Sequence, residues 1–347
     1  MIAVFADIHA RDKDLPEFSR QFRTALTGAV DRGCKNFILA GDVFDFPNIS
    51  TGGASVGDII NAIKAPLIDI AKGHFCRVFI IPGQHDKENE TNRDALTSLE
   101  GIPNVEIIRE PKWVCINLPS GISMGIAFLP WLYKESAWPD IKALSELKPP
   151  GLSRTALCSH LRVQGARMNG DRVCNRESFS VSEEQLKTTT FDRFWFGDFH
   201  ERQNTADNRG MYVGALRQMD YGHAGEPQGF EIYDPATNTA EFVEINSAPR
   251  HEVLDWIKGD PRPTPTPGFN TRIKTIDWVA TDEDSPAEPG VEVTYKVKAE
   301  HTTARISPEE AVAIVDDKHA LLDLFLDNEN YTEDRTALHE TLKTVAV

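Results

Sequence analysis

The chain has little of what would make it a disulfide scaffold, a zinc knuckle, a membrane protein or a coat for nucleic acid. Its five cysteines, Cys34, Cys76, Cys115, Cys158 and Cys174, are scattered and odd in number, and none belongs to a C-x-x-C arrangement. A reducing compartment fits that usage, so a cytoplasmic protein is expected. No apolar run approaches the roughly 20 residues that a membrane helix needs, so no membrane partner is expected. The opening "MIAVFADIHA" has no basic leader and carries Asp7 and His9 where a signal peptide would be apolar, so it reads as a first strand. Basic residues are also short: 37 Lys and Arg face 53 Asp and Glu, a net charge of -16. That balance counts against nonspecific coating of a polyanion, yet it leaves room for an enzyme that grips one through metal ions and a local basic patch.

What is present is alternation. Strand-like runs recur at Ile2-Ala6, Asn36-Ala40, Arg77-Ile81, Val105-Ile108, Met124-Leu129, Ala156-His160, Arg193-Phe196, Met211-Val213 and Gly229-Tyr233. Helical spacing appears between the earlier ones, over Leu15-Asp31 and over Val56-Ala71, where Ile59, Ile60, Ile63, Leu67 and Ile70 recur. The pattern predicts a layered α/β domain over 1-258 and shows no internal repeat. The segment "GDPRPTPTPGFN", 259-270, alternates proline with small residues and reads as a linker. Beyond it, 271-347 offers two strand candidates and a helix opened by Ser307, Pro308 and Glu310, which reads as a small second α+β domain.

The polar residues fall at the ends of strands. Asp7 and His9 follow the first as D-x-H; "GDVFD", with Asp42 and Asp45, follows "NFILA"; "GQHD", residues 83 to 86, follows "RVFII"; His160 ends "TALCSH"; and "GDFH", with Asp198 and His200, follows "RFWF". Each taken alone is explained by a turn, a helix cap or a buried histidine. Five in this order, outside the carboxyl ends of strands, predict one shared cleft. Carboxylate, imidazole and amide donors without thiolate suit divalent ions. A pair of such ions can activate water against phosphorus, and a histidine not spent on metal can protonate the leaving oxygen. Gly83 is read as the residue that turns the chain into this loop.

The series D-x-H, G-D-x-x-D, G-Q-H-D, a lone H and G-D-x-H resembles the calcineurin-like metallophosphoesterase superfamily over roughly residues 1 to 235. "LPWL", "SHLRVQGA", "GDFHERQ", "MYVGALRQMDYG" and "PQGFEIYD" are most similar to the SbcD/Mre-type DNA repair exonucleases, and the length is nearer to compact bacterial or phage-type members. The resemblance implies a four-layer αββα sandwich with a small C-terminal α+β capping domain. It also implies that Asp7, His9 and His200 hold a first metal, that Asp42 bridges, and that Asp42, Gln84, His160 and Asp198 hold a second. His85 would be the proton donor, Asp86 its orienter, and Asp45 a support for the loop rather than a ligand.

Two positions depart from the family pattern, and both fall on the second metal. Gln84 stands where asparagine is usual and Asp198 where the first histidine of G-H-x-H is usual. An anionic oxygen donor in place of imidazole favours Mn²⁺, with Mg²⁺ or Fe²⁺ possible, and a second ion held more weakly than the first.

The implied activity is 3′-to-5′ exonuclease, and possible endonuclease, action on double-stranded DNA ends. The implied partners are an SbcC-type SMC-like ATPase, with the C-terminal "EDRTALHETLKTVAV" as a candidate docking helix, and a second copy meeting near Val56-Ala71 and Asn92-Leu99. Arg11, Lys87, Arg162, Arg167 and Arg217 are candidate phosphate contacts. A small-molecule phosphodiesterase or phosphatase with the same metals, or a noncatalytic scaffold for DNA ends or the ATPase, remains the alternative.

Overall fold

The computed structural model describes residues 1–12, 15–47, 55–88, 93–118, 120–168, 172–175, 178–245, 250–257, 260–267, 269–276 and 291–295. All of them lie in one compact unit, Met1–Lys296. The expected helix from Ser307, the C-terminal docking helix and Asn92 lie outside the described residues.

Two six-stranded sheets form the body. In the first, β1 (Ile2–Phe5), β2 (Asn36–Ala40), β3 (Arg77–Ile81) and β4 (Val105–Ile107) run parallel in that order. In the second, the central strands β6 (Ser123–Leu129), β7 (Arg154–His160) and β10 (Arg193–Gly197) are parallel, and β5 (Lys112–Asn117) pairs antiparallel on β6. The strip β8 (Arg162–Gln164) and β9 (Ser180–Ser182) stands apart as a two-stranded sheet. β11 (Gln203–Thr205) and β12 (Gly210–Tyr212) close the free side of the second sheet on β10. β13 (Gly229–Asp234) and β14 (Thr239–Glu244) return to the first sheet, antiparallel beside β1. Last come β15 (Arg250–Ile257), β16 (Phe269–Ile276) and β17 (Val291–Tyr295), a parallel three-stranded sheet in which β15 pairs with β16, which starts within the last two residues of the proline-rich segment, and β16 pairs with β17.

Period-two side chains decide which core each strand residue enters. Ile2, Val4, Ile38, Ala40, Phe79 and Ile81 face the second sheet and pack with Ile126, Phe128, Ala156, Cys158 and Trp195. Their sequence neighbours Ala3, Phe5, Phe37, Leu39, Val78 and Ile80 face outward onto α1 (Leu15–Asp31) and α2 (Val56–Ile68). On the far side Leu157, Phe194 and Phe196 pack with Ile141 and Leu144 of α3 (Trp138–Glu146) and with Leu186 of α4 (Glu183–Lys187). Three cores between four layers make the αββα sandwich.

α1 buries Leu15, Phe18, Phe22, Ala25, Leu26 and Ala29, a stripe at spacings of three and four. α2 begins at a Ser55–Asp58 capping box. It leaves α geometry at Ile68 rather than reaching Ala71, and the wider turn Asp69–Gly73 follows Pro66, which removes one donor from the ladder. Ile59, Ile63, Leu67 and Ile70 are buried against their own sheet.

One polar device joins the two sheets. Glu231 on β13 is fully buried and accepts from Arg193 (Nη2, 2.6 Å), from the Trp195 indole (2.8 Å) and from Arg202 (3.2 Å). Arg193 and Trp195 belong to β10 in the other sheet, so the carboxylate is paired across the sandwich.

Candidate active site

The loops after β1 and β2 are zipped together by their backbones. Asp7 N donates to Gly41 O (3.2 Å), His9 N to Asp42 O (2.9 Å) and Ala10 N to Val43 O (2.8 Å). Among the described non-glycine residues with positive φ are Asp7 (49°), His9 (46°), Asp42 (50°) and Asp198 (97°), four of the residues singled out from the sequence. Left-handed backbone costs on the order of 1–3 kcal/mol per residue and gathers where a site needs it. Small residues let the loops close. A Cβ on Gly83 would lie 2.1 Å from Asp42 Oδ1 and 2.5 Å from the Asp42 nitrogen, and one on Gly41 would lie 2.2 Å from His160 Nδ1. Gly83 is not among the positive-φ glycines, so its part is to admit Asp42 rather than to turn the chain.

Each histidine is held through one nitrogen, which leaves the other for the site. His9 Nδ1 is 3.0 Å from Asp45 Oδ1, and His9 Nε2 is 3.0 Å from His200 Nε2 and 3.7 Å from Asp42 Oδ2. His160 Nδ1 donates to the Ala40 carbonyl (2.8 Å), and its Nε2 is 3.3 Å from Asp42 Oδ2. Ligand atoms of Asp7, His9 and His200 lie within 4.8 Å of one another, and so do those of Asp7, Asp42 and His160. The Asp42 oxygen that faces both His9 and His160 stands between the two groups.

The fit to divalent ions has its own mark. Asp7 Oδ2, Gln84 Oε1 and His160 Nε2 are buried without a hydrogen-bond partner, which is costly for a polar atom unless a cation is meant to sit there. Nitrogen and oxygen donors without thiolate agree with that reading.

Charge behaves as expected of such a nest. Burial pushes the Asp7 carboxyl up to about 6, against the pull of His160 and His9. Burial works to raise Asp42 as well, but His160, His9 and His85 overcome it and hold the group below the ordinary carboxylate range. Burial would lower His160, yet Asp42, Asp7 and Asp198 raise it to about 10. His200 is driven well below its ordinary value by burial and by the neighbouring imidazoles of His9 and His223, which favours the neutral ring.

The residues of the "GQHD" loop divide differently from the expectation. The family resemblance makes Asp86 the orienter of the His85 ring. Instead its two buried oxygens accept from the backbone nitrogens of Val43 (3.2 Å), Phe44 (2.9 Å) and Gly83 (2.9 Å), pinning this loop to the one after β2. Burial and the charge of Asp42 push its carboxyl up to about 7, against those amides. The orienter of His85 is a backbone carbonyl: His85 Nδ1 donates to Asp45 O (2.9 Å). A carbonyl only accepts, so Nδ1 carries the hydrogen and Nε2 is the nitrogen able to pass a proton. The backbone of His85 donates to Asp42 Oδ1 (2.9 Å), and its ring stands edge-on to His9 with centroids 4.9 Å apart.

Gln84 and Asp198 do meet. Gln84 Nε2 donates to Asp198 Oδ1 (2.5 Å), and Arg162 Nε donates to Asp198 Oδ2 (2.9 Å). Among the other candidate phosphate contacts, Arg11 donates to the Met219 carbonyl (3.1 Å) and Lys87 to that of Trp131 (2.7 Å). Arg167 pairs with Glu201, and Arg217 is buried over the Phe18 ring.

His223 was not legible in the sequence. It lies 23 positions beyond His200 in no recognisable motif, yet it is buried with Nε2 3.0 Å from His200 Nδ1. Its own Nδ1 accepts from the backbone nitrogens of Met219 (3.3 Å) and Asp220 (3.4 Å) and lies 3.3 Å from Asp220 Oδ1. His223 thus stands directly behind the His200 ring and fixes its orientation, itself held in the turn by those backbone groups. His223→Ala is therefore expected to weaken Mn²⁺ binding about 10–100-fold by calorimetric titration, with His223→Gln recovering part of it.

Two sheets whose strand ends bring this donor set together resemble the metallophosphoesterases of the calcineurin-like type. Within that type the chain resembles the SbcD/Mre-type nucleases. Exonuclease subunit 1 of Enterobacteria phage T4 is 24% identical over 241 residues, covering 68% of this chain and 64% of the relative, so the match spans just under two thirds of that protein. No family model matches the chain. Among solved structures, a dimetal phosphatase from Danio rerio is similar with a TM-score of 0.40 and 12% identity, over 66% of this chain and 90% of its own. A candidate 5′-nucleotidase from Staphylococcus aureus, in complex with α-ketoglutarate, has a TM-score of 0.40 and 11% identity, over 70% and 52%. With overlaps that loose, the fold stands on the chain's own sheets and cores. No helix among the described residues is long and apolar enough to cross a membrane.

Proposed function

We propose that the protein is a metal-dependent DNA nuclease that hydrolyses phosphodiesters from double-stranded ends, 3′ to 5′, with Mn²⁺ as its preferred ion. The observation that carries the reaction type is His85, its ring fixed through Nδ1 on a carbonyl beside the overlapping Asp7–His9–His200 and Asp7–Asp42–His160 groups. Divalent ions held there supply Lewis acidity toward a phosphoryl oxygen and a stronger water nucleophile at neutral pH. The protein's own share is to fix the donors, exclude bulk water and pass a proton from His85 Nε2 to the leaving oxygen. The likeness to a phage exonuclease subunit supports DNA as the substrate, and by the same resemblance an SbcC-type ATPase and a second copy of the chain are its proposed partners.

The test is a Mn²⁺-dependent assay on linear duplex DNA beside a chromogenic phosphodiester. Degradation of DNA from its ends supports the proposal. Turnover of the small ester alone replaces it with a small-molecule phosphodiesterase, and no turnover of either replaces it with a binding scaffold.

A further inference from the structure

The second ion position differs from the first in one respect: a guanidinium is bonded to one of its candidate ligands. Asp198 has a side chain only 2% exposed, and both of its oxygens are engaged, one by the Gln84 amide and the other by Arg162 Nε. Its backbone nitrogen is fixed too, donating to Asp7 Oδ1 (3.0 Å). Arg162 opens β8 two positions after His160, the last residue of β7, and its guanidinium lies over the Trp131 ring at 5.4 Å. Two neighbouring donors point to a cation that Asp198 does not help to hold. Gln84, bonded to Asp198 through Nε2, keeps Oε1 buried and unpartnered, and His160 keeps Nε2 so.

We propose that Arg162 is a built-in counter-ion that holds Asp198 off the second metal ion, so that this position binds through Asp42, Gln84 and His160 and is kept weak by the neighbouring positive charge. The physical basis is competition for one carboxylate. A charge-assisted N–H···O bond in a nearly dry environment is among the stronger hydrogen bonds, and a second cation must either share Asp198 with the guanidinium or do without it. The same positive charge opposes the ion directly. The first position feels neither effect, because among the described residues no guanidinium enters the hydrogen bonds and ion pairs of Asp7, His9 and His200. The inference rests on the two-ion reading of the site and supplies the reason for its asymmetry.

Mn²⁺ titration by calorimetry, without substrate, tests the proposal apart from any catalytic activity. Wild type is expected to show one tight and one weak ion. In Arg162→Ala the second ion is expected to tighten about tenfold or more while the first is unchanged, and most of the gain is expected to disappear in Arg162→Ala/Asp198→Asn, leaving only the part due to the removed charge. Arg162→Gln, which keeps bulk and a donor but no charge, serves as the second variant if alanine unfolds the loop, with the same direction of change. The unchanged first ion reports that a variant is folded.

A second ion that is unchanged or weaker in both Arg162 variants overturns the proposal, because Arg162 then only steadies Asp198 as a ligand. Tightening that Asp198→Asn leaves undiminished overturns it too, since competition for the carboxylate then plays no part. Absence of any Mn²⁺ binding to wild type overturns the metal reading itself, and the proposal with it.

Discussion

His85→Ala is expected to lower phosphodiester hydrolysis by about 10²–10⁴-fold while leaving Mn²⁺ binding in place. The size follows from the loss of a positioned proton donor, which water replaces poorly at a leaving alkoxide. The separation from metal binding follows from the geometry. His85 Nδ1 is committed to the Asp45 carbonyl, and the backbone nitrogen that bonds Asp42 survives any side-chain replacement. Turnover on DNA or a chromogenic diester, set beside a metal titration of the same preparation, checks both halves. A loss of metal affinity parallel to the loss of rate would place His85 among the ligands, since His9, Asp45 and His85 also bring ligand atoms within 4.8 Å of one another. A substrate whose leaving group is a good one, such as a nitrophenol, needs less protonation, so the defect should be smaller there than on DNA.

The second large effect is on stability and lies away from the chemistry. Glu231→Ala is expected to cost about 3 kcal/mol, the lower end of what breaking a buried ion pair costs, because Arg193 and Arg202 keep some solvent access. Removing the carboxylate strands two guanidinium groups and an indole N–H, and a buried donor left without its acceptor costs more than the bond it loses. Urea unfolding measures it: the midpoint should fall with little change in slope. A shift no larger than that of a surface substitution would mean that the sheets are held by apolar packing alone.

Much of the sandwich is readable from the chain because its central strands are buried on both faces. Such strands show as unbroken apolar runs, and "NFILA" and "RVFII" match β2 and β3 to the residue. The strands that the sequence conceals are those that pair at edges or stand apart. Lys112–Asn117, Thr239–Glu244 and Arg250–Ile257 alternate weakly and carry charge on exposed faces, and the three-residue strands β8, β9 and β11 are too short to show any period. α2 shows the same limit at finer scale. Its apolar spacing continues past Ile68 into Ile70, so side-chain pattern alone cannot reveal that the backbone has widened into a π turn.

The site divides along a similar line. Spacing within a loop is local, so D-x-H, the two aspartates of "GDVFD", "GQHD", the lone His160 and "GDFH" stand out as polar strand ends from residue order alone. What each side chain bonds to is not local. Asp86 lies next to His85 in the chain yet anchors the loop of Val43 and Phe44, because a fully buried carboxylate goes to the nearest unpaired amides rather than to its sequence neighbour. His223 enters the site only because the turn after Met219 folds back on His200.

By itself, then, the sequence determined the donor chemistry and its order: nitrogen and oxygen ligands, no thiolate, five strand ends. It could do so because each motif is set by a few adjacent residues leaving one strand. Only the tertiary structure decided that Asp45 holds His9 and His85, that His223 backs His200, and that Arg162 is bonded to Asp198. Those pairings cross up to dozens of residues, and they are fixed by how two sheets stack and which buried polar atoms must find partners.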